Sequence, residues 1–317
     1  MQVEEELARL SPSKDMVLTI GVFDGVHLGH KYLLSQLKEH ARQENLLSGV
    51  VTFRQHPQAV LSPQTKLPCL TDLAQRIRFL KNEGIDAIIM LSFTCELARL
   101  STSQFVELLK KYLRMRGLVI GPDFALGRNR EGNVNTLRTL GRDMDFSVTV
   151  IPPLVINSEV VSSTAIRNAL AEGDMKRVHN LIGRSFSLHG RVITGAGRGI
   201  ELGFPTANLD VDSQQALPPD GVYATWAYVD NKAYQSMTNI GRRPTFDGGE
   251  RAVEVYILDY HGELYGQELR IDIIERLRGE ERFDSADELK KQVAEDIRRG
   301  RAILNSTGSK VWEQMKK

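Results

Sequence analysis

Short runs of consecutive apolar and β-branched residues recur through the first half of the chain: VLTI at 17, GVVTF at 49, AIIML at 87, GLVIG at 117 and SVTVI at 147. A strand that is apolar throughout, with no polar alternation, is covered on both faces, which is the situation of a parallel sheet held between layers of helices. The stretches between the runs carry the 3.6-residue period such helices need. Leu33, Leu34, Leu37 and Ala41 follow the first run, and Leu73, Ile77 and Leu80 follow the second. An open, doubly wound α/β layer is therefore expected in this half.

After about Arg184 the texture changes. SLHGRVI, GVYATWAYVD, KAYQSMTNI, AVEVYILDY and LRIDIIERL read as strands joined by turns. In GVYATWAYV, Val222, Ala224, Trp226 and Tyr228 share one face and Tyr223, Thr225, Ala227 and Val229 the other; both are largely apolar, as in a closed barrel. Asp230-Asn231 then supplies turn chemistry. From Ser285 to about Leu304, the residues Leu289, Val293, Ile297, Ile303 and Leu304 recur near helical spacing, with Ser285 as N-cap ahead of Glu288, so one terminal helix is expected. The 317 residues suit two domains, placed at 1–182 and 183–317.

Charge and cysteine content exclude several function classes. Lys plus Arg total 41 against 40 for Asp plus Glu, so there is no basic excess to drive nucleic-acid binding through counterion release. Cys69 and Cys95 are too few for a disulfide framework and fit a reducing compartment, as buried thiols. The opening MQVEEELARL lacks the layout of a signal peptide, and no run approaches the ~18 apolar residues of a membrane span. A cytoplasmic protein without a membrane partner is expected. Asn305-Ser306-Thr307 matches a glycosylation sequon, read as chance in that compartment.

Chemistry concentrates first where VLTIGVF runs into DGVHLGH and the helix KYLLSQLKEHA. Helix starts attract anions through free N–H groups and the positive end of the helix dipole, and Gly25 and Gly29 let backbone approach a phosphate closely. His27 and His30, three apart, are placed to donate hydrogen bonds to phosphate oxygens whose charge rises in a transition state. The same pair at this spacing also suits zinc, but no cysteine or third histidine lies nearby to complete a closed site. In the second half, GRVITGAGRGIELGFPTANL has glycines around basic residues. As a dinucleotide fingerprint it fails, since Ile200 stands where a third glycine belongs, but as a phosphate nest between barrel strands it is coherent.

These residues resemble a family. GVFDGVHLGH is similar to the HxGH motif of the nucleotidylyltransferase superfamily in the wording of the prokaryotic bifunctional riboflavin kinase/FAD synthetases. TFRQHP at Thr52, GPDFALGRNREG at Gly121 and VSSTAIR at Val161 resemble their T-F-x-P-H-P, G-x-D-F-x-F-G-x(4)-G and I-S-S-T-x-I-R segments, and GFPTANL resembles the riboflavin kinase signature. PPDGVYA, TNIGRRPTF, VEVYILD, LYGQEL and LRGEERF follow in family order, so the resemblance spans about Val17 to Arg299.

The resemblance implies a Rossmann-like nucleotidylyltransferase domain with a parallel sheet, followed by a flavokinase-type β-barrel with a terminal helix. It implies riboflavin, FMN, FAD and ATP as ligands, Mg²⁺ as cofactor, and two reactions, phosphorylation of riboflavin to FMN and adenylylation of FMN to FAD. In the adenylyltransferase, His27 and His30 are the implied catalytic residues. Gly21, Phe23, Asp24, Gly25, Gly29, Ser163, Thr164 and Arg167 serve ATP, with Ser163 and Thr164 also read as helix caps. His56, Pro57, Asp123 and Phe124 border the flavin. In the kinase, Gly195, Gly197, Gly199, Gly203, Pro205, Thr206 and Asn208 hold ATP phosphates, Thr206 and Asn208 with Mg²⁺, and Glu254 is the base for the ribityl 5′-hydroxyl.

Three departures from the family pattern stand out: Gln55 for a proline, Ala125-Leu126 for a bulkier pair, and Thr194-Gly195-Ala196 for His-Gly-Asp, with Gly197 in place of a basic or polar residue. An unrelated nucleotidylyltransferase with an accessory barrel would account for HLGH but not for GFPTAN with Glu254. A flavin sensor that had lost one activity would lack catalytic residues that are all present here.

Overall fold

The computed structural model describes residues 1–10, 12–64, 67–195, 199, 202–242 and 251–315. The chain divides into two compact units, Met1–Ser163 and Thr164–Lys317.

The first unit runs α1 (Gln2–Ala8), β1 (Met16–Ile20), α2 (Leu28–Gln43), β2 (Leu47–Phe53), α3 (Pro57–Leu61), α4 (Leu73–Asn82), β3 (Ala87–Leu91), α5 (Cys95–Ala98), α6 (Thr102–Leu113) and β4 (Met115–Ile120). A short hairpin of β5 (Ala125–Leu126) and β6 (Gly132–Asn133) follows, then α7 (Val134–Met144), β7 (Ser147–Val150) and a second hairpin of β8 (Val155–Ile156) and β9 (Glu159–Val160). The five apolar runs form one parallel sheet in the order β3-β2-β1-β4-β7. Successive residues point to opposite faces, so each strand feeds two cores. Leu18, Val51 and Leu118 pack with Val3, Leu7, Phe105, Leu109 and Leu137 of α1, α6 and α7. Val17, Val50 and Val119 pack with Leu34, Leu37, Ala41 and Leu80 of α2 and α4. The sheet is thus the Rossmann-like layer expected, and the order in which its strands are added reverses between β1 and β4, the place where open α/β sheets bind ligands at their carboxyl ends.

α8 (Ser163–Glu172) begins on the last residue of the first unit. The second unit continues with α9 (Met175–Ile182) and six strands, β10 (Phe186–Ile193), β11 (Ala207–Val211), β12 (Gly221–Val229), β13 (Lys232–Arg242), β14 (Arg251–Ile257) and β15 (Glu268–Arg278), before α10 (Ala286–Met315). The strands close into an antiparallel barrel in the order β10-β11-β14-β13-β12-β15. Its interior takes one face of β12, where Tyr223, Thr225 and Ala227 are fully buried and the Thr225 hydroxyl meets those of Ser236 at 2.7 Å and Thr238 at 2.8 Å. The other face, Val222, Ala224 and Trp226, packs with Met237, Leu277 and Leu304, the last from α10. Asp230 and Asn231 turn the β12–β13 hairpin with φ of 48° and 60°, the conformation of a primed turn.

Three local expectations need correcting. Ala207–Val211 is a barrel strand rather than part of a loop, because its backbone pairs with β10 and β14 over a distance in sequence that local pattern does not reveal. The terminal helix starts with Ser285 accepting from the Glu288 amide at 3.3 Å, as expected, but continues to Met315. Cys69 is half-buried and Cys95 exposed, since Cys95 opens a one-turn surface helix.

A buried phenol marks the rim of the barrel. The Tyr223 hydroxyl donates to the Pro219 carbonyl at 2.5 Å, while Arg276 donates to the Asp220 carbonyl at 2.8 Å and Arg251 to the Asp220 carboxylate at 2.7 Å. Burial pushes the Tyr223 phenol up to about 12 against the opposing pull of Arg276 and Arg251. Unfolded tyrosine titrates near 10, so the native state holds this proton more tightly and the resulting stability is complete below about pH 10. It is lost as pH rises toward 12. Thermal melting is expected to fall over that window, and Tyr223→Phe is expected to make the fall shallower; an unchanged alkaline slope would contradict the assignment.

Candidate functional site

The N-terminal site is built where β1 ends. Phe23, Gly25 and Val26 take φ of 55°, 83° and 37°, so the chain passes through left-handed conformations three times in four residues before α2 begins. Buried charges hold this shape. The Asp24 carboxylate, 3% exposed, accepts from the Leu70 amide at 2.9 and 3.0 Å and the Thr71 amide at 3.1 Å, and the Gly25 amide donates to the Thr71 hydroxyl at 3.1 Å. Arg76 donates to the carbonyls of Val22 at 3.0 Å, Phe53 at 2.5 Å and Arg54 at 3.3 Å, tying the ends of β1 and β2 together from α4. Burial lowers the Arg76 guanidinium from its ordinary value, and the charge of Asp24 opposes that shift.

On this platform His27 becomes the N-cap of α2, its Nδ1 accepting from the His30 amide at 3.3 Å. The two imidazoles stack with centroids 3.6 Å apart at 19°, and Phe23 meets the His30 ring at 5.0 Å. Gly29 lies tight between its neighbours: a Cβ there would meet the Val161 carbonyl at 2.8 Å and the His27 ring at 3.2 Å. The Ser163 hydroxyl donates to the Asp24 carbonyl at 2.9 Å, so the last residue of the first unit is fastened to the turn. Ser163 and Thr164 lie inside that helix rather than capping it, and Arg167 follows on the same helix.

Beside the turn, at the carboxyl ends of β1, β2 and β4, a cavity of about 510 Å³ is lined by Gly21, Phe53, Pro57, Phe93, Asp123, Phe124, Ala125 and Leu126 among others. Phe53 and Phe93 meet edge to face at 5.3 Å. His56 is not in this lining but caps α3, its Nδ1 accepting from the Gln58 amide at 3.1 Å. Gln55, at the family's proline position, donates to the Phe93 carbonyl at 2.8 Å and so braces the same wall.

The second site is on the barrel. Gly199, Thr206 and Glu254 line a pocket of about 650 Å³ with Val222, Met237, Asn239 and Tyr256, and with Leu289, Val293 and Asp296 of α10. Glu254 sits on β14 in register with Asn208 on one side and Asn239 on the other. Asn208 is 7% exposed, and its amide occupies the space that a Cβ on Gly195 would fill. A Cβ at Gly199 would come within 3.2 Å of the Thr206 hydroxyl. Gly203 has φ of 87°, and Pro205 leads directly into Thr206. Gly197 lies outside the described residues. At the wall of the pocket, Arg278 donates to the Asp296 carboxylate at 3.0 and 3.2 Å in a pair that joins β15 to α10, with Asp296 buried and Arg278 partly so.

Sequence reading missed Arg76, Asn239 and the Arg278–Asp296 pair. Arg76 was detectable in principle, since it stands at an apolar-stripe position of α4 between Leu73 and Leu80. The other three depend on strand register and helix docking. Among the described residues, no group of three or more His, Cys, Asp or Glu is arranged to hold a metal. No helix among those residues is long and apolar enough to cross a membrane.

Residues 10–165 match the FAD synthetase family model and residues 182–304 the riboflavin kinase family model. The chain is 36% identical to a bifunctional riboflavin kinase/FMN adenylyltransferase of Escherichia coli (strain K12) over 94% of its own length and 95% of the relative's. It is also 36% identical to a relative described in the same words from Listeria monocytogenes, over 91% of this chain and 92% of that one. A crystal structure of a macrolide-efflux protein from Streptococcus pneumoniae superposes with a TM-score of 0.87 at 30% identity, covering 95% of this chain and 97% of that one.

Removing the Arg76 side chain while keeping its volume tests the platform. Arg76→Met leaves the carbonyls of Val22, Phe53 and Arg54 without their donor, and a loss of about 3 kcal/mol from the N-terminal unit is expected. Chemical denaturation followed separately for the two units should show the loss in the first alone. A variant as stable as the parent would remove Arg76 from this role.

Proposed function

The chain belongs to the bifunctional riboflavin kinase/FMN adenylyltransferase family, and on that premise we propose that its two reactions run at the two sites described, one in each unit. In the barrel, the ribityl 5′-oxygen of riboflavin attacks the γ-phosphorus of ATP. A new O–P bond forms while the bond to the β,γ-bridging oxygen breaks, giving FMN and ADP. Glu254 takes the hydroxyl proton, and Asn208 and Asn239, flanking it in register, hold the geometry. The observation that carries this reading is that a carboxylate held on a barrel strand, Glu254, opens onto the same pocket as Thr206.

Magnesium is the metal this chemistry implies, and the residues present fit it. The Thr206 hydroxyl and Asn208 amide oxygen are hard neutral donors, few enough to leave positions for phosphate oxygens and water, and the missing Cβ of Gly195 leaves room for the Asn208 amide. Bound with ATP, the ion would offset charge on the transferred phosphoryl group. Gly195, Gly197, Gly199, Gly203 and Pro205 form the surrounding phosphate loop in this reading.

In the α/β unit an FMN phosphate oxygen attacks the α-phosphorus of a second ATP, and pyrophosphate leaves as FAD forms. His27 and His30 donate to the phosphate oxygens at the start of α2, where N–H groups and the helix dipole favour an anion. Gly21, Phe23, Asp24, Gly25 and Gly29 shape that turn, and Ser163, Thr164 and Arg167 serve the phosphates of ATP. The cavity bordered by Pro57, Asp123 and Phe124 takes the flavin ring, and His56, which caps α3 just before Pro57, is assigned to the same ligand. The functional domains are assigned to 1–182 and 183–317, in a cytoplasmic enzyme whose partners are riboflavin, FMN, FAD and ATP, without nucleic acid or membrane.

Two substitutions separate the reactions. His30→Ala is expected to reduce FAD formation from supplied FMN by 10²-fold or more, in line with general acid–base and electrostatic losses of about 10²–10⁴, while FMN formation continues. Glu254→Gln should do the reverse. Chromatography of the flavins formed from riboflavin, ATP and Mg²⁺ reads both, and equal loss of the two reactions in either folded variant would overturn the separate sites.

A further inference from the structure

The barrel pocket contains acids that the proton transfer does not use, Glu280, Glu281 and Asp296. Glu280 follows β15 and lines the pocket shared by Glu254 and Thr206. Its carboxylate lies directly over β13, where a Cβ on Gly241 would fall on the Glu280 oxygen. Glycine inside a strand often marks a site of close approach by another group. Here that group is a carboxylate, seated on the backbone.

The position is informative. Gly241 lies two residues beyond Asn239 on the same face of β13, and Asn239 is the register partner of Glu254. Two strand residues span about 7 Å, so Glu280 stands roughly one five-carbon chain length further along the pocket than the proton-accepting acid. Among the described residues, no cation or hydrogen-bond donor engages the Glu280 carboxylate. The neighbouring charges Arg278 and Asp296 are bonded to each other, with Gln292 donating to Asp296 at 2.9 Å. Val222, Met237 and Tyr256 form an apolar stretch of the wall that suits a ring system better than a polyol, and the charged Glu281 and Arg282 also line the pocket.

We infer that Glu280 is a specificity-determining residue of the kinase reaction, accepting hydrogen bonds from the secondary hydroxyls of the ribityl chain while the 5′-hydroxyl sits at Glu254. This rests on the kinase reading of the pocket. A carboxylate is an acceptor with several lone pairs, and a polyol chain supplies the matching row of O–H donors. The seat on Gly241 fixes the acid at a set distance from Glu254, so the chain is measured as well as bound.

The test is steady-state FMN-type phosphorylation by the full chain with two substrates: riboflavin, and a flavin whose ring nitrogen carries an unbranched 5-hydroxypentyl chain in place of ribityl. The analogue keeps the reacting hydroxyl and lacks the other three. Glu280→Ala is expected to lower kcat/KM for riboflavin about 10- to 100-fold, the loss of a hydrogen bond to a charged group, and to leave the analogue nearly unchanged, so that discrimination collapses. Glu280→Gln should recover part of it. Gly241→Ala, with Glu280 intact but displaced, should reproduce the collapse. Adenylylation of supplied FMN by each variant reports that the chain is folded. Equal loss on both substrates, or no change on either, overturns the inference. Failure of the kinase reading itself is distinguishable, because the parent protein would then phosphorylate neither substrate.

Discussion

The buried charges Asp24 and Arg76 carry the architecture of the N-terminal site. A chain leaving the sheet through left-handed conformations at Phe23, Gly25 and Val26 gives up favourable backbone geometry, and the turn persists only because its surroundings over-determine it. Asp24 does so by taking the Leu70 and Thr71 amides, and Arg76 by gathering carbonyls from the ends of two strands. Buried ions are costly unless nearly every hydrogen bond is made. Here the partners are backbone groups of the loops themselves, so satisfying the ions and shaping the turn are one event. With those groups engaged elsewhere, the start of α2 and its stacked histidines keep their orientation toward the carboxyl end of the sheet.

The barrel reaches a comparable rigidity by other means. Closure leaves no sheet edge, and hydroxyls meeting inside it at Thr225, Ser236 and Thr238 satisfy one another where water does not reach. The outer face is divided. Part is covered by α10, joined through Arg278 and Asp296, and part remains open as the pocket beside Glu254. Ladder pairing on both sides of β14 then holds Glu254 between two asparagines with the precision of the backbone rather than of a loop. Each unit has its own core, and the two reactions are chemically consecutive, since the phosphate installed by one is the nucleophile of the other.

Much of this was legible in the chain itself. All five parallel strands coincide with the apolar runs, the Asp230-Asn231 turn and the Ser285 cap fall where their chemistry puts them, and the strand-to-helix passage at GVFDGVHLGH is as expected. These are local signals, set by periodicity, by glycine and by capping side chains within a few residues. The strand Ala207–Val211 escaped because its composition is that of a loop and only its partners β10 and β14 make it a strand. Arg76 was passed over because a cation on an apolar stripe reads as an interruption until the carbonyls it meets are known. Ser163 looked like a helix cap, and its hydroxyl instead bridges to Asp24, 139 residues away.

Sequence alone marked the division into an α/β half and a β half and the family to which the chain belongs, and it singled out the candidate residues for phosphate, proton and metal. Tertiary structure decided which groups meet: Asn208 beside Glu254, Ser163 against Asp24, Glu280 seated on Gly241. Register and the burial of charge depend on segments far apart in the chain coming into contact. The free energy of such contacts belongs to the pair and is written in neither segment by itself.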